Sequence, residues 1–273
     1  MSRLNQSIKR ITSLEELTLL DTPIHRQHPA IKLLLTVLYL ITVISFPAEQ
    51  ISGLMVFILY PVLLMTIGEL PFKTVLGRLV IALPFSVFAG LSNMFVSREV
   101  RMMLGGIIIT QGMITFASIL IKTILTVSAV LILIATTSMR DLISAMLYFH
   151  IPTILVMQLI MTFRYLGVLI SEISVMYHAY LLRAPLEKGI KLKDMGSFLG
   201  QLILRSFDRS ERIFHAMKCR GFEGGLAFSE RRRIPTRQWI GLVLFGGVFI
   251  LFRLINISEV LGELIVSIFD VGH

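Results

Sequence analysis

His215, Met217 and Cys219 crowd into one short stretch, FHAMKCRGFEGG (Phe214 to Gly225). A set of nitrogen and sulfur donors is the raw material of a zinc or copper site. On a helix, though, His215 and Cys219 lie four residues apart and face the same way, whereas Met217 points almost oppositely. Two convergent ligands fall short of the four that a structural zinc site takes, and no CxxC or HxxxH supplies the rest. No metal site is expected here, and Cys219 reads as a small buried hydrophobe. Catalytic signatures are equally scarce. The chain has no GxSxG, no HExxH and no paired carboxylates within an apolar run. It also lacks GxxxxGK[ST], so it holds no P-loop for ATP. No catalytic, cofactor-binding or metal-binding residue is assigned.

Two arginines carry more promise. Arg183 stands in LLRAPLEKG and Arg220 in KCRGFEGG. Each follows a helical pattern, precedes a small residue and sits near later glycines and a glutamate. A cation in a last helical turn complements the helix dipole, for a few tenths of a kcal/mol, and that alone could account for either. Their recurrence in one segment favours a second role. A guanidinium stays charged and offers five donors in a rigid fork, so at a helix tip it can grip a carboxylate or carbonyls on another protein. A lysine would keep the charge and lose that geometry.

The elements that must position these arginines follow from composition. Of 273 residues, 55% are hydrophobic and 16% charged, against about 25% charged in soluble domains. Mean hydropathy is +0.81. The expected class is an all-α polytopic membrane protein. Five apolar runs approach the roughly 20 residues needed to cross a bilayer: Ile31–Phe46, Ile51–Gly68, Val75–Phe95, Ile114–Thr137 and Trp239–Ile255. Pro61 and Pro84 predict kinks that neighbouring helices can satisfy. Leu104–Thr110, also apolar, reads as a re-entrant turn or an early start to the fourth span. Lys122 is the conspicuous charge inside a span, and the residues around it assign it no role.

The net charge of +9 gathers in the connecting segments. Arg3, Lys9, Arg10 and Arg26 precede the first run, Lys73 precedes the third, and Arg78 lies just inside it. Arg231-Arg232-Arg233 and Arg237 close a basic segment of about 100 residues, whereas the tail beyond Asn256 carries only acids. Arg98 and Arg101 fit this pattern poorly. Positive-inside logic places the N-terminus and the long segment in the cytoplasm of a cell-membrane protein, with the C-terminus outside. This basic balance is expected of cytoplasmic loops and does not point to nucleic acid. The expected layout is a cytoplasmic segment over 1–30, four spans over 31–137, a cytoplasmic helical region over 138–238 and a last span with its tail over 239–273.

Within 138–238, Asp141 can cap a helix to about His150, and Ile151-Pro152 breaks it. A long helical pattern then runs from Thr153 to about Leu182, with Arg164 and Glu172 its only charges. It reads as an elbow at the cytoplasmic interface, its first two-thirds apolar enough for partial embedding. A second helix is expected from Met195 to about Cys219. Leu199, Ile203, Phe207, Ser210, Phe214 and Met217 line one side, and Arg205, Asp208, Arg209 and Arg212 the other, with Asp208 and Arg212 placed to pair. Gly221, Gly224 and Gly225 end it. Such a helix lies on a membrane, on the chain's own spans, or on a partner.

The segments TTSMRDLISAMLYFHIP, MTFRYLGVLISE, YLLRAP and RSFDRSERIFHAMKCRGFEG resemble, in that order, the T component of energy-coupling-factor transporters, with HPAIKLLL before the first span in keeping. The CbiQ type, associated with cobalt and nickel uptake, is the best fit. The resemblance implies a membrane scaffold that joins a substrate-binding membrane protein, the S component, to two cytoplasmic ATP-binding cassette subunits. ATP would be bound by those subunits and the metal ion by the S component. The family tips its coupling helices with Ala-Arg followed by Gly or Ser. The second such motif falls on Cys219-Arg220-Gly221, with Cys for Ala, and the first on Leu182-Arg183-Ala184, which keeps the arginine and a small residue. The alternatives are a T component for vitamin uptake and, in another class, an autonomous membrane carrier.

Overall fold

A computed structural model describes residues 18, 20–96, 100–104, 107–184, 189–223 and 234–254. The basic residues Arg3, Lys9, Arg10, Arg98 and Arg231–Arg233, the acidic tail, and Gly224 and Gly225 lie outside them. The chain divides into two compact units, one formed by residues 1–142 with 232–273 and the other by 143–231.

The first unit is a helical bundle. Its elements are α1 (Pro29–Ser45), α2 (Ile51–Val56), α3 (Leu59–Ile67), α4 (Phe72–Val96), a hairpin of β1 (Val100–Leu104) and β2 (Ile107–Thr110), α5 (Gln111–Thr136) and α9 (Thr236–Leu254). Helix α1 opens on a sound cap, since the Ala30 N–H donates to Nδ1 of His28 at 3.2 Å and Pro29 takes the first turn. The apolar run from Ile51 to Gly68 is broken at Phe57-Ile58 into α2 and α3. Pro61 explains the repair there. It cannot donate to the carbonyl four residues back, that of Phe57, and the buried Tyr39 hydroxyl donates to that carbonyl instead, at 2.9 Å. A neighbouring helix thus satisfies the backbone, as Pro61 in an apolar run requires. Helix α4 continues through Pro84.

Leu104–Thr110 is neither a re-entrant turn nor an early start to a span. Ile107–Thr110 pairs antiparallel with Val100–Leu104. Three successive isoleucines favour a strand over a helix start because their branched Cβ is stiff at χ1.

Aromatic rings fill the centre of this unit. Tyr39 stacks on Tyr60 at 4.5 Å, and Phe249 meets Tyr60 edge-on at 5.1 Å. Phe57 and Phe46 complete the cluster, and such pairs add about 0.5–1.5 kcal/mol beyond the area they bury. The outer surface is also apolar. Ile81, Phe85 and Phe88 on α4 and Val243 on α9 stand exposed, as they do in a bundle whose solvent is lipid.

Three cations tie the helices together. Lys32 on α1 donates to the carbonyl of Thr136, the last residue of α5, at 2.7 Å. Lys122 on α5 donates to the carbonyl of Phe46, just beyond α1, with a longer contact to Ile44 at 3.5 Å. Each helix therefore finishes the C-terminal end of the other, where the last carbonyls lack helical partners and the dipole favours a cation. From α9, Arg253 donates to the carbonyl of Ser45 at 3.0 Å and lies over the Phe46 ring. These contacts make α5 antiparallel to α1. Helix α9 runs parallel to α1, because Gln238 accepts from the His28 N–H at the start just as Arg253 meets Ser45 at the end. The chain consequently leaves α5 and enters α9 at the same end of the bundle.

The second unit holds most of α6 (Met139–Tyr148), α7 (Thr153–Arg183) and α8 (Leu192–Cys219). Ser138, not Asp141, caps α6. The Asp141 N–H donates to the Ser138 hydroxyl at 3.2 Å, and that hydroxyl donates to the Asp141 carboxylate at 2.7 Å. Asp141 stands three residues into a capping-box arrangement.

Among the described residues, four helices are long and apolar enough to cross a membrane: Phe72–Met94 of α4, and α5, α7 and α9. Helix α1 and the pair α2–α3 are shorter apolar elements.

Candidate functional site

The two arginine-bearing helix ends are built differently. Helix α7 ends on Arg183, and Ala184 leaves the helical region with φ −129° and ψ 67°. The residue before a proline is pushed out of that region, and Pro185 follows. The Ala184 N–H still donates to the Tyr180 carbonyl at 3.0 Å, and Arg183 is exposed.

Helix α8 closes in a full Schellman turn. Cys219 is its last residue and Arg220 the capping one. The Gly221 N–H donates to the Lys218 carbonyl at 3.0 Å and the Phe222 N–H to that of Met217 at 3.1 Å. These are the two bonds that define the motif. Gly221 sits at φ +79°, a left-handed conformation that a Cβ would strain. The glycine fixes how the chain turns away immediately after Arg220. Cys219 is exposed rather than a buried hydrophobe, because it sits at the helix tip, and Arg220 is exposed beside it. Among the described residues neither Arg183 nor Arg220 has an ion-pair partner.

The other donors of the stretch go elsewhere. His215 faces Glu211 one turn earlier, Nε2 to Oε1 at 3.8 Å. Lys218 lies over the Phe214 ring at 5.0 Å. Among the described residues, no three His, Cys, Asp or Glu side chains come together.

Helix α8 has its apolar face on one side, and no residue of it is buried. Leu199, Ile203, Phe207 and Phe214 all remain exposed, Phe207 at 69%. The pairing expected between Asp208 and Arg212 is replaced by a bond from Arg212 Nε to the Asp208 carbonyl, at 3.1 Å. The carboxylate engaged by α8 arginines comes from α7. Glu172 takes Arg205 at 2.5 Å on one oxygen and Arg209 at 3.6 Å on the other. These residues, with Leu169, Ser206 and Arg212, line a crevice of about 250 Å³.

A second contact lies toward the start of α8. The Tyr180 hydroxyl donates to the Asp194 carboxylate at 2.8 Å, and the Lys191 N–H reaches the same hydroxyl at 3.4 Å. Asp194 therefore lies beside the last turn of α7, close to Arg183. From Asp194 to Arg220 the helix climbs about 39 Å at roughly 1.5 Å per residue. The two arginines stand at well-separated places, joined by one stiff helix.

The family model for CbiQ, cobalt transport protein, matches residues 21–233. The nickel permease LarQ of Lactiplantibacillus plantarum is 30% identical over 117 residues, 43% of this chain and 43% of that protein. The chain thus spans less than half the length of that relative.

Proposed function

This chain belongs to the CbiQ cobalt transport protein family, and from that premise we propose that it is the membrane scaffold of an energy-coupling-factor importer for cobalt or nickel ions. In this reading the chain binds neither ATP nor the ion. It receives displacement from a pair of ATP-binding cassette subunits and passes it to a membrane S component that holds the ion. Nickel enters the proposal through the similarity to LarQ.

The observation that carries the reading is the pair of exposed arginines, Arg183 and Arg220, each at the end of a long helix and free of described ion-pair partners. A guanidinium so placed is available to a groove on another protein, where its fork resists sliding as a point charge would not. The Schellman turn at Gly221 and the departure at Ala184 set the direction in which each is offered. Ala184, Cys219 and Gly221 act by shaping the tips. Their small size lets a partner surface come close.

The proposed topology keeps the N-terminus and residues 138–238 cytoplasmic. Since α5 ends and α9 begins at one end of the bundle, the chain between them makes no net crossing. Helix α8 carries Lys193, Asp194, Arg205, Asp208, Arg209, Glu211, Arg212 and Lys218 and is unsuited to a return span. Helix α7, although long enough, then serves as an interfacial element.

The test is uptake of radioactive nickel or cobalt by cells carrying the complete transporter. Arg183→Ala combined with Arg220→Ala should abolish uptake while the protein still reaches the membrane fraction. Normal uptake by the double variant would end the coupling reading. Ion movement by the purified chain alone in liposomes would favour an autonomous carrier instead.

A further inference from the structure

We propose that Glu172 is a positioning residue that, with Tyr180, braces α7 against α8 so that the two arginine tips move as one body. This rests on the coupling reading above and names the part of the molecule that makes such coupling efficient.

A single contact between two helices is a pivot, about which the helices can still swing. Two separated contacts remove that freedom. Here α7 holds α8 at Glu172 and again at Tyr180, about 12 Å apart along α7. On α8 the matching residues are Asp194 and Arg205, roughly three turns apart and so on the same side of the helix. The Glu172 contact is itself forked. One carboxylate oxygen faces Arg205 and the other Arg209, a turn further on, which resists both sliding and rolling of α8.

The surroundings favour this role over a role in stability. Apolar packing does little to lock α8, since none of its residues is buried, and on α7 only Val156 is. The polar contacts must then supply the direction. Glu172 is also the more sheltered member, its side chain 23% exposed against 53% for Arg205 and 39% for Arg209. Without the brace, a push at Arg220 would bend or swing α8 before it reached α7.

The experiment uses the complete transporter, purified with its ATPases and S component and placed in vesicles. It measures nickel or cobalt delivered per ATP hydrolysed. Glu172→Gln keeps the shape and removes the charge. It should lower that ratio at least tenfold while hydrolysis continues and the subunits still co-purify. Tyr180→Phe, which removes one hydroxyl, should lower it about threefold. Exchanging the charges throughout, Glu172→Arg with Arg205→Glu and Arg209→Glu, should restore most of the ratio, which a residue needed only for folding would not do. Should Glu172→Gln fail to accumulate in membranes, the fully exchanged set alone decides, by regaining the ratio or not. An unchanged ratio in Glu172→Gln, with uptake still abolished in the Arg183→Ala, Arg220→Ala variant, would overturn the brace and leave the coupling reading standing. If uptake survived in that arginine variant as well, both would fall.

Discussion

Helices α5 and α8 are of nearly equal length, 26 and 28 residues, and are treated in opposite ways. Helix α5 is apolar along its whole length and buries Ser118, Leu125, Ala129 and Ile132 among neighbours of its own chain. Its one lysine is spent on another helix end. Helix α8 segregates charge from apolar surface, buries nothing and leaves Phe207 and Ile203 in the open. A contiguous apolar face left uncovered marks an interaction surface. The first helix is finished by the chain itself. The second keeps its apolar face exposed among the described residues.

That contrast can be broken experimentally. The largest effect is expected in the bundle. Lys32→Met or Lys122→Met strips a helix end of its cation, and an orphaned buried carbonyl costs about 1–3 kcal/mol. At about 2–4 °C per kcal/mol for a protein of this size, either variant should melt several degrees lower in detergent. Gly221→Ala should cost about 1 kcal/mol, confined to the α8 tip. The melting temperature of the bundle should hold, while hydrogen exchange at the Phe222 amide speeds up and uptake falls. Ile203→Ser with Phe207→Ser should move stability by less than about 0.5 kcal/mol per site and still reduce uptake. A melt as low as that of the lysine variants would show that α8 is part of the core after all. The smallest effect belongs to Asp21, whose carboxyl is held below its ordinary value by the Arg26 guanidinium at 2.6 Å. Any stability from that exposed pair is present above about pH 4 and fades as the pH falls through the lowered native value. Asp21→Asn should therefore leave the melting temperature at neutral pH unchanged within error.

Much of this was legible in the residues. Length and hydrophobicity alone marked the helices that became α1, α4, α5 and α9, and Gly221 announced the end of α8 because only a glycine suits that turn. The break at Phe57-Ile58 was legible through Pro61, which predicts a kink one turn upstream, although an unbroken apolar run gives no period to fix its position to the residue. Hydrophobicity alone does not tell the hairpin from a span, though Ile107–Ile109 carry a β-branched signal. At α6, Ser138 and Asp141 are both capping types, and only geometry shows which of them caps. Local spacing pairs Asp208 with Arg212, whereas in the fold Arg212 bonds the Asp208 carbonyl and a carboxylate from a different helix takes Arg205 and Arg209. The roles of Lys122 and Glu172 stayed hidden for a shared reason. Their partners lie far along the chain, and no local spacing points to them.

The reciprocal capping of α1 and α5 has a consequence in time. The bond from Lys32 links residues 104 apart, and that from Lys122 links residues 76 apart. At roughly 5–20 residues per second, a newly made α1 waits about 4 to 20 seconds before α5 exists to complete it. Helix α1 has 17 residues, at the short end of what crosses a bilayer. During synthesis the last carbonyls of α1 therefore go without their cation until the fourth apolar run arrives.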